Sequence, residues 1–405
     1  MNQSNPTMNR RYIWLLMAGH LFTDVNQGAL PAILPFLVAE KGLNYTAAAG
    51  LVFAENFVQS LVQPLFGHFA DRISKPWLMY IGVLVAGLGL AATGLFTNYW
   101  SIFTAVAISG IGIAAFHPQA ARIANRASGE KKGAGMSIFS VGGTLGFALG
   151  PIITIACLLI WGLKGTLILI VPAIAMAILL ASQTNNFQAF LKHPQVQEAT
   201  KNNAGANDEW IPFAKLNVVL FCRSVVNYGL NAFLPLYWIA VLLQSKVAGG
   251  TALTIYFIFS AIGNLTGGWL ADRFGIIRII RISSVLLLPV LLIFVAMRSA
   301  PAATLLLMPV GILLSVPFSP MVVLGQKYLP DRIGLSGGVT LGLGISMGGI
   351  LAPVLGWFAD RHGLASEMHL VAYVSALAAL MAFTLSAPLI DRFASRSTLK
   401  ENAGL

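Results

Sequence analysis

Charge is what this sequence has least of. Only 10% of its 405 residues are Asp, Glu, Lys or Arg, against ~25% in a soluble globular chain. Cysteine is nearly absent as well. Cys157 and Cys222 both fall in apolar runs without metal-ligand spacing, which argues against a disulfide framework. The six histidines show no zinc spacing, and no glycine-rich loop ends in Lys-Ser/Thr to cradle nucleotide phosphates. The expectation is a protein that is not an enzyme and uses no metal and no cofactor.

Apolar residues are abundant: 57% of the chain is hydrophobic, with a mean hydropathy of +0.78. Runs nearly free of charge recur, and ~20 apolar residues span a bilayer as a helix. The chain therefore reads as an all-α integral membrane protein. The first run, 13–38, is too long for a signal-peptide core and reads as a permanent span. Reading apolar runs between polar breaks gives twelve membrane helices. They lie near 12–38, 45–70, 77–96, 100–122, 133–158, 165–182, 215–242, 249–271, 278–297, 302–326, 333–358 and 366–388. One break is long, the polar and Asn/Gln-rich 183–213. It reads as a cytoplasmic linker between six-helix bundles at 1–182 and 214–405.

The net charge of +11 is explained by topology. Of 25 Lys and Arg residues, 19 fall on the side that holds both termini and the linker, and 5 on the opposite side. Arg223 lies within a span. Basic loops stay in the cytoplasm, so both termini are expected there, in the inner (plasma) membrane. No nucleic-acid partner is implied.

The two halves echo each other. "GHFADR" (67–72) returns as "GWLADR" (268–273), "FHP" (116–118) as "FSP" (318–320), and "GFALGP" (146–151) as "GGILAP" (348–353). "LP" at 34–35 returns at 234–235. Offsets of 200–202 point to a duplication with both copies starting on the same side. Such parallel halves are related by an axis along the membrane normal, with the site between them near the midplane. In the two corner phrases, Gly67 and Gly268 would let helices approach. Asp71 and Asp272 would pair with a basic group or a helix N-terminus, and Arg72 and Arg273 would anchor at anionic lipid. A third copy, "GWFADR" (356–361), ends span 11 at the opposite face. It has no equivalent corner and reads as a coincidence of end-of-helix chemistry.

The G-x-x-x-D-R corner after span 2, with its weaker copy after span 8, resembles the loop signature of the major facilitator superfamily. Gly143-x-x-Gly146-x-x-x-Gly150-Pro151 resembles the span-5 signature of that superfamily's proton-coupled antiporters. "GHLFTDVNQGALPAILPFL" (19–37), "FHPQAARIANRASG" (116–129), "SIFSVGGTLGFALGP" (137–151) and "LPDRIGLSGG" (329–338) resemble the fosmidomycin-resistance branch of drug exporters. The resemblance implies the major facilitator fold of two pseudo-symmetric six-helix bundles. It also implies export of a small molecule against protons. One departure stands out: many superfamily exporters carry an arginine in span 4 where this chain has Val106.

Ionisable groups within spans cost ~2.5–3.5 kcal/mol each by insertion scales and are functional candidates by default. His20 and Asp24 are one turn apart in span 1, with Gln27 and Pro31 on the same face. Asp24 lies ~18 Å and Glu55 ~15 Å deep from opposite faces, so both approach the midplane. Asp24, His20 and Glu55 are the proton-coupling candidates, the alternative for Glu55 being a static helix tie. Gln27, Asn56, Gln59, His117, Arg223, Asn227 and Asn231 are the substrate-binding candidates, with Arg223 also open to a structural pairing. His117 is equally a hinge, since Pro118 removes a backbone donor beside it. Gly142, Gly143, Gly146 and Gly150 are read as packing span 5 closely on a partner span, and Pro151 as bending it.

The resulting expectation is a monomeric secondary transporter working by alternating access on a small-molecule substrate, protons and surrounding lipid. The alternative is a proton symporter or uniporter for a metabolite. A receptor that no longer transports would have lost the intramembrane acids and gained an extramembrane domain, and neither is seen in the sequence. Reporter fusions at Lys75, within 192–205 and at the C-terminus are expected to read cytoplasmic, and fusions at Asn98 and Lys246 periplasmic. A periplasmic signal from 192–205 would overturn the twelve-span map.

Overall fold

The computed structural model describes residues 8–72, 75–129, 132–192, 208–330, 336, 339–340 and 344–388. Nothing is stated of the side chains of 64, 67–72, 132–134, 192 and 344–346. The described residues form helices with no strand. In the first half, α1 is Arg10–Lys41, α2 Tyr45–Arg72, α3 Trp77–Ala92, α4 Tyr99–Ala127 and α5 Lys132–Trp161. A 3₁₀ stretch, Gly162–Leu169, leads into α6 (Ile170–Ser182) and α7 (Thr184–Lys192). In the second half, α8 is Trp210–Ala240, α9 Lys246–Phe274, α10 Ile276–Ala296, α11 Ala300–Ser315, α12 Phe318–Tyr328, α13 Gly344–His362 and α14 Leu364–Phe383. Eight stretches are long and apolar enough to cross a membrane by length and composition, some of them joining two helices. Taken with α2, α3 and α13, and with α11 and α12 as one broken span, the helices follow the twelve expected spans.

The duplication is visible in backbone detail. α1 starts at Arg10 and α8 at Trp210, an offset of 200; α4 starts at Tyr99 and α11 at Ala300, an offset of 201. The N–H of Asn9 donates to the Ala127 carbonyl at 2.7 Å, and that of Glu209 to the Tyr328 carbonyl at 2.6 Å. Each bond ties the start of a half's first helix to the end of its fourth. Glycine packing repeats too. A Cβ on Gly146 would meet the Leu21 carbonyl at 2.5 Å, and one on Gly348 would collide with the Ser224 carbonyl. Helices α5 and α13 therefore lie on α1 and α8 by the same device.

The linker differs from expectation at both ends. Its first residues are helical, because Phe187 and Leu191 give α7 an apolar face that is buried against the first half. Tyr12 of α1 meets the rings of Phe187 and Phe190 at 5.0 and 5.3 Å. The second half begins at Trp210, ahead of position 214. Residues 193–207, and most of "LPDRIGLSGG", lie outside the described residues.

The apolar core has a telling shape. Toward the α2 start, one cluster runs through both halves, from Leu34, Leu51 and Ile155 to Trp238, Leu253 and Leu355. Toward the α1 start it divides. Ile13, Met79, Phe116 and Phe187 form one cluster, and Phe213, Ile280, Met321 and Tyr328 another. The halves thus share a core at one face and keep separate cores at the other. Outside, large apolar side chains such as Trp100, Ile178 and Leu380 are exposed, as a lipid-facing surface requires.

At the joined end, the third copy of the echoed phrase has a partner after all. Asp360, in the last turn of α13, accepts from the backbone N–H groups of Tyr45 at 2.8 Å and Thr46 at 2.9 Å, and from the Thr46 hydroxyl. A carboxylate is disfavoured at its own helix's C-terminus and favoured at another's N-terminus. It takes up the first two N–H groups of α2 from the opposite half, beside the helix's own N-cap, Asn44, which accepts from the Ala47 N–H at 2.8 Å. Gly356 makes room, since a Cβ there would meet the Tyr45 carbonyl at 2.6 Å. The reading of "GWFADR" as coincidence is therefore corrected; what it lacks is an equivalent corner, and what it has is a helix start beside it.

The second copy also needs correction. A Cβ on Gly268 would meet nothing within 4 Å; the close approach is made by its neighbour Gly267, against the Val316 carbonyl. Asp272 is exposed, and Arg273 lies over the rings of Trp269 and Phe274 at 5.7 and 5.6 Å. Gly67, Asp71 and Arg72 end α2, and their side chains lie outside the description.

Removing a helix cap costs about 0.5–2 kcal/mol. Asp360→Ala is accordingly expected to shift the population that is joined at the α2 start by roughly 2–30-fold, and Asp360→Asn less, because an amide oxygen still accepts. Spin-label distances between the α2 start and the α13 end would measure it. An unchanged distance distribution in Asp360→Ala would exclude a cap that holds the halves together.

Candidate cation and substrate site

The densest polar cluster among the described residues is built by α1, α4 and α5. His20 and Asp24 share a face of α1, with His20 Nε2 at 3.2 Å from Asp24 Oδ2. His117 reaches in from α4 and places its Nε2 3.1 Å from Asp24 Oδ1. Asp24 is 3% exposed. The imidazole rings meet edge to face at 5.0 Å, and His20 stacks on Phe139 at 4.3 Å.

Local sequence explains why the cluster closes. α5 carries Gly142, Gly143, Gly146 and Gly150 along the stripe that faces α1. A Cβ on Gly143 would lie 2.5 Å from His20 Nε2 and 2.7 Å from Asp24 Oδ2; one on Gly150 would lie 2.6 Å from the Val25 carbonyl. No larger residue leaves space for both side chains. The partner span for these glycines is thus α1. Gly28 answers from the other side, where a Cβ would meet the Phe147 carbonyl at 2.5 Å. Pro118 and Pro151 sit inside α4 and α5, which continue through them as helices.

Both imidazoles are oriented by backbone. His20 Nδ1 lies 2.9 Å from the Phe139 carbonyl, and His117 Nδ1 2.9 Å from the Ile113 carbonyl. A carbonyl only accepts, so each Nδ1 must carry the hydrogen. In a neutral ring Nε2 then keeps a lone pair, 3.1 to 3.2 Å from the Asp24 carboxylate. Three sets of lone pairs converge, and the arrangement calls for a positive charge between them.

A second polar group lies where the halves meet. Gln27, Glu55, Asn56, Tyr228 and Asn231, with Leu30, Pro31, Val52 and Phe147, line a narrow cavity of about 10 Å³. Gln27 donates to Gln59 at 2.8 Å, and Tyr228 of α8 donates to Asn56 of α2 at 2.5 Å, which bridges the halves. Glu55 is 3% exposed, and its Oε1 has no hydrogen-bond partner among the described residues. Asn227 stands apart from this group, accepting from the Tyr256 hydroxyl at 2.5 Å.

Arg223 belongs elsewhere. Its guanidinium donates to the Ser284 hydroxyl at 3.1 Å, the Leu313 carbonyl at 2.6 Å and the Leu314 carbonyl. These carbonyls end α11, where the chain breaks before Pro317. Proline has no N–H to return to Leu313, four residues back, so the carbonyl is orphaned. Arg223 satisfies it, which places it as a structural partner of a broken helix, away from Asp24.

Two groups escape a reading of the sequence. Tyr228 gives no signal there, because a tyrosine in an apolar run carries no charge. Glu367, in the first turn of α14, is fully buried, and neither carboxylate oxygen has a hydrogen-bond partner among the described residues. It falls at the edge of the expected span 12, where an acid looks like part of a loop; starting the span at Leu364 exposes it.

Two parallel six-helix repeats that meet around a polar midplane have the build of a secondary transporter, not of an enzyme. Residues 16–353 match the model of the Major Facilitator Superfamily, and the chain belongs to that family. It is 30% identical over 372 residues to an uncharacterized MFS-type transporter, YfnC, of Bacillus subtilis (strain 168), covering 90% of each chain. It is 28% identical over 367 residues to the fosmidomycin resistance protein of Escherichia coli (strain K12), again covering 90% of each. Among solved structures, it resembles a bacterial homolog of the human lysosomal transporter Spinster in an inward-facing, occupied conformation. The TM-score is 0.79 at 15% identity, over 95% of this chain and 98% of that one. A mutant of the nucleoside transporter NupG gives 0.72 at 16%, over 93% and 100%. At such identities the likeness shows the fold alone.

Arg223→Gln is expected to lower thermal stability, because leaving a buried carbonyl unsatisfied costs ~1–3 kcal/mol. The coupling of any transported substrate to protons is expected to stay as in the wild type. A melting scan with a vesicle assay separates the two, and lost coupling at unchanged stability would return Arg223 to the transport site.

Proposed function

We propose that this protein is a proton-coupled antiporter that exports a small molecule of the drug or metabolite class. The observation that carries the reading is the buried convergence of His20, Asp24 and His117, whose lone pairs need a cation. A group that must hold positive charge inside hydrocarbon, and can give it up only to a water-filled path, is suited to carry a coupling proton. Glu55, buried on the neighbouring pocket wall, is the second proton candidate. Gln27, Gln59, Asn56, Tyr228 and Asn231 are the substrate contacts, since they lie at the meeting of the halves.

Export is supported by the glycine stripe of α5 and by likeness to a relative named for fosmidomycin resistance. A phosphonate substrate rests on that likeness alone. The first half runs through α7 and the second from Trp210, with both termini cytoplasmic in the plasma (inner) membrane, and the working unit is a monomer. On this orientation, the joined core at the α2 start is the outer face and the divided core opens inward. The second reading is a proton symporter or uniporter on the same scaffold, favoured if a pH gradient drives uptake.

The test is drug susceptibility in a host lacking its own exporters, followed by vesicles with an imposed pH gradient. Asp24→Asn is expected to abolish uphill export while exchange down a gradient stays measurable. His20→Ala is expected to move the pH at which export is half-maximal. Glu55→Gln alters the proton stoichiometry if it is a proton site, and only stability if it is a helix tie. Full proton-driven export by the Asp24→Asn, Glu55→Gln double variant would refute the mechanism.

A further inference from the structure

The triad is larger than a proton needs. His20, Asp24 and His117 each offer one ligand atom, and these atoms all lie within 4.8 Å of one another. Each imidazole approaches its own oxygen of Asp24, His20 Nε2 to Oδ2 at 3.2 Å and His117 Nε2 to Oδ1 at 3.1 Å. Zinc binds imidazole nitrogen and carboxylate oxygen at ~2.0–2.2 Å, so neighbouring ligands on a tetrahedral ion stand about 3.3 Å apart. The observed separations already lie near that edge. Closing a separation of up to 4.8 Å to that edge takes about 1.5 Å in all, shared among three side chains.

The surroundings are those of a metal site as well. Metal-binding histidines almost always give their second ring N–H to a carbonyl or carboxylate, which fixes the tautomer and aims the other nitrogen. Both histidines do this here, toward the carbonyls of Phe139 and Ile113. Asp24 Oδ1 is buried and makes no well-directed hydrogen bond among the described residues, although His117 Nε2 lies 3.1 Å away. Two imidazoles and one carboxylate suit divalent zinc, nickel, iron or copper better than magnesium or calcium, which seek all-oxygen shells. Neutral histidines, Asp24 and a divalent ion would leave a single positive charge, and Glu55 on the adjoining pocket offers the balancing acid.

We propose that His20, Asp24 and His117 form a three-ligand binding site for a divalent first-row transition-metal ion, with a fourth position open to water or substrate. The inference rests on the reading of this triad as the cation site. It is measured on resting protein without substrate or gradient, so it can fail while proton-driven export stands, and the reverse.

The experiment uses tag-free full-length protein in detergent, titrated calorimetrically with zinc alone. One zinc per chain is expected at micromolar or tighter affinity. His117→Gln and Asp24→Asn are each expected to weaken binding by at least about tenfold, since even outer-shell changes cost 10–100-fold. A variant with His68, His193, His362 and His369 all changed to Gln should bind as the wild type does. X-ray absorption on zinc-loaded wild type guards against variants that misfold, and should show two imidazole nitrogens in the first shell. No saturable binding in the micromolar range, binding indifferent to His117→Gln and Asp24→Asn, or a shell without two imidazoles would each overturn the proposal. The triad would then hold protons only.

Discussion

A polar group inside hydrocarbon has to find its partner within the protein. That requirement arranges most of what distinguishes this molecule. Pro317 orphans the Leu313 carbonyl, and a buried arginine from another helix answers it. His117 and His20 each spend one ring nitrogen on a backbone carbonyl, which turns the other toward Asp24. The functional cluster is therefore oriented by main chain, and side-chain identity decides only what faces inward. Its precision comes from α5, whose glycine stripe brings that backbone against α1 closely enough to confine both His20 and Asp24.

The two halves obey one plan and carry different cargo. Asp24 has Ser224 at the offset of 200, His20 has Leu220, and His117 has Ser319 at 202. Ser224 spends its hydroxyl on the Gly348 N–H at 3.0 Å, and Ser319 donates to Asn264 at 3.0 Å. Where the first half gathers ionisable groups, the second makes hydroxyl bonds that tie helices. The second half's own buried charged groups among the described residues, Arg223 and Glu367, lie at positions with no charged counterpart. Duplication supplied the frame, and divergence put the titratable chemistry on one side.

Much of the frame is legible in the sequence, because burial in lipid writes itself as long apolar runs and duplication as a constant offset. Helix starts at Arg10 and Trp210 fall close to where those signals put them. The pairing of His20 with Asp24 is readable from their one-turn spacing. The arrival of His117 is not, since it comes from a helix nearly a hundred residues on, and zinc spacing rules address only local ligands. Arg223 looks like a counter-charge because a sequence shows the charge and hides the orphaned carbonyl that claims it. Gly268 illustrates the opposite trap: a motif glycine draws the packing role that its neighbour Gly267 performs. The third echo is misread for want of a facing residue, since its partner is a helix terminus with no letter of its own.

The contact between the halves can drift unevenly over generations. Asp360 holds two main-chain N–H groups, and main chain is present whatever side chain is written at 45 and 46. The receiving side can therefore accept nearly any residue without losing those two bonds, proline excepted, because it alone brings no N–H. The burden of staying unchanged falls on one side of the joint. Related chains are free to vary at the start of the second helix as long as they keep an acid at the end of the eleventh span, an asymmetry of inheritance between the two sides of one joint.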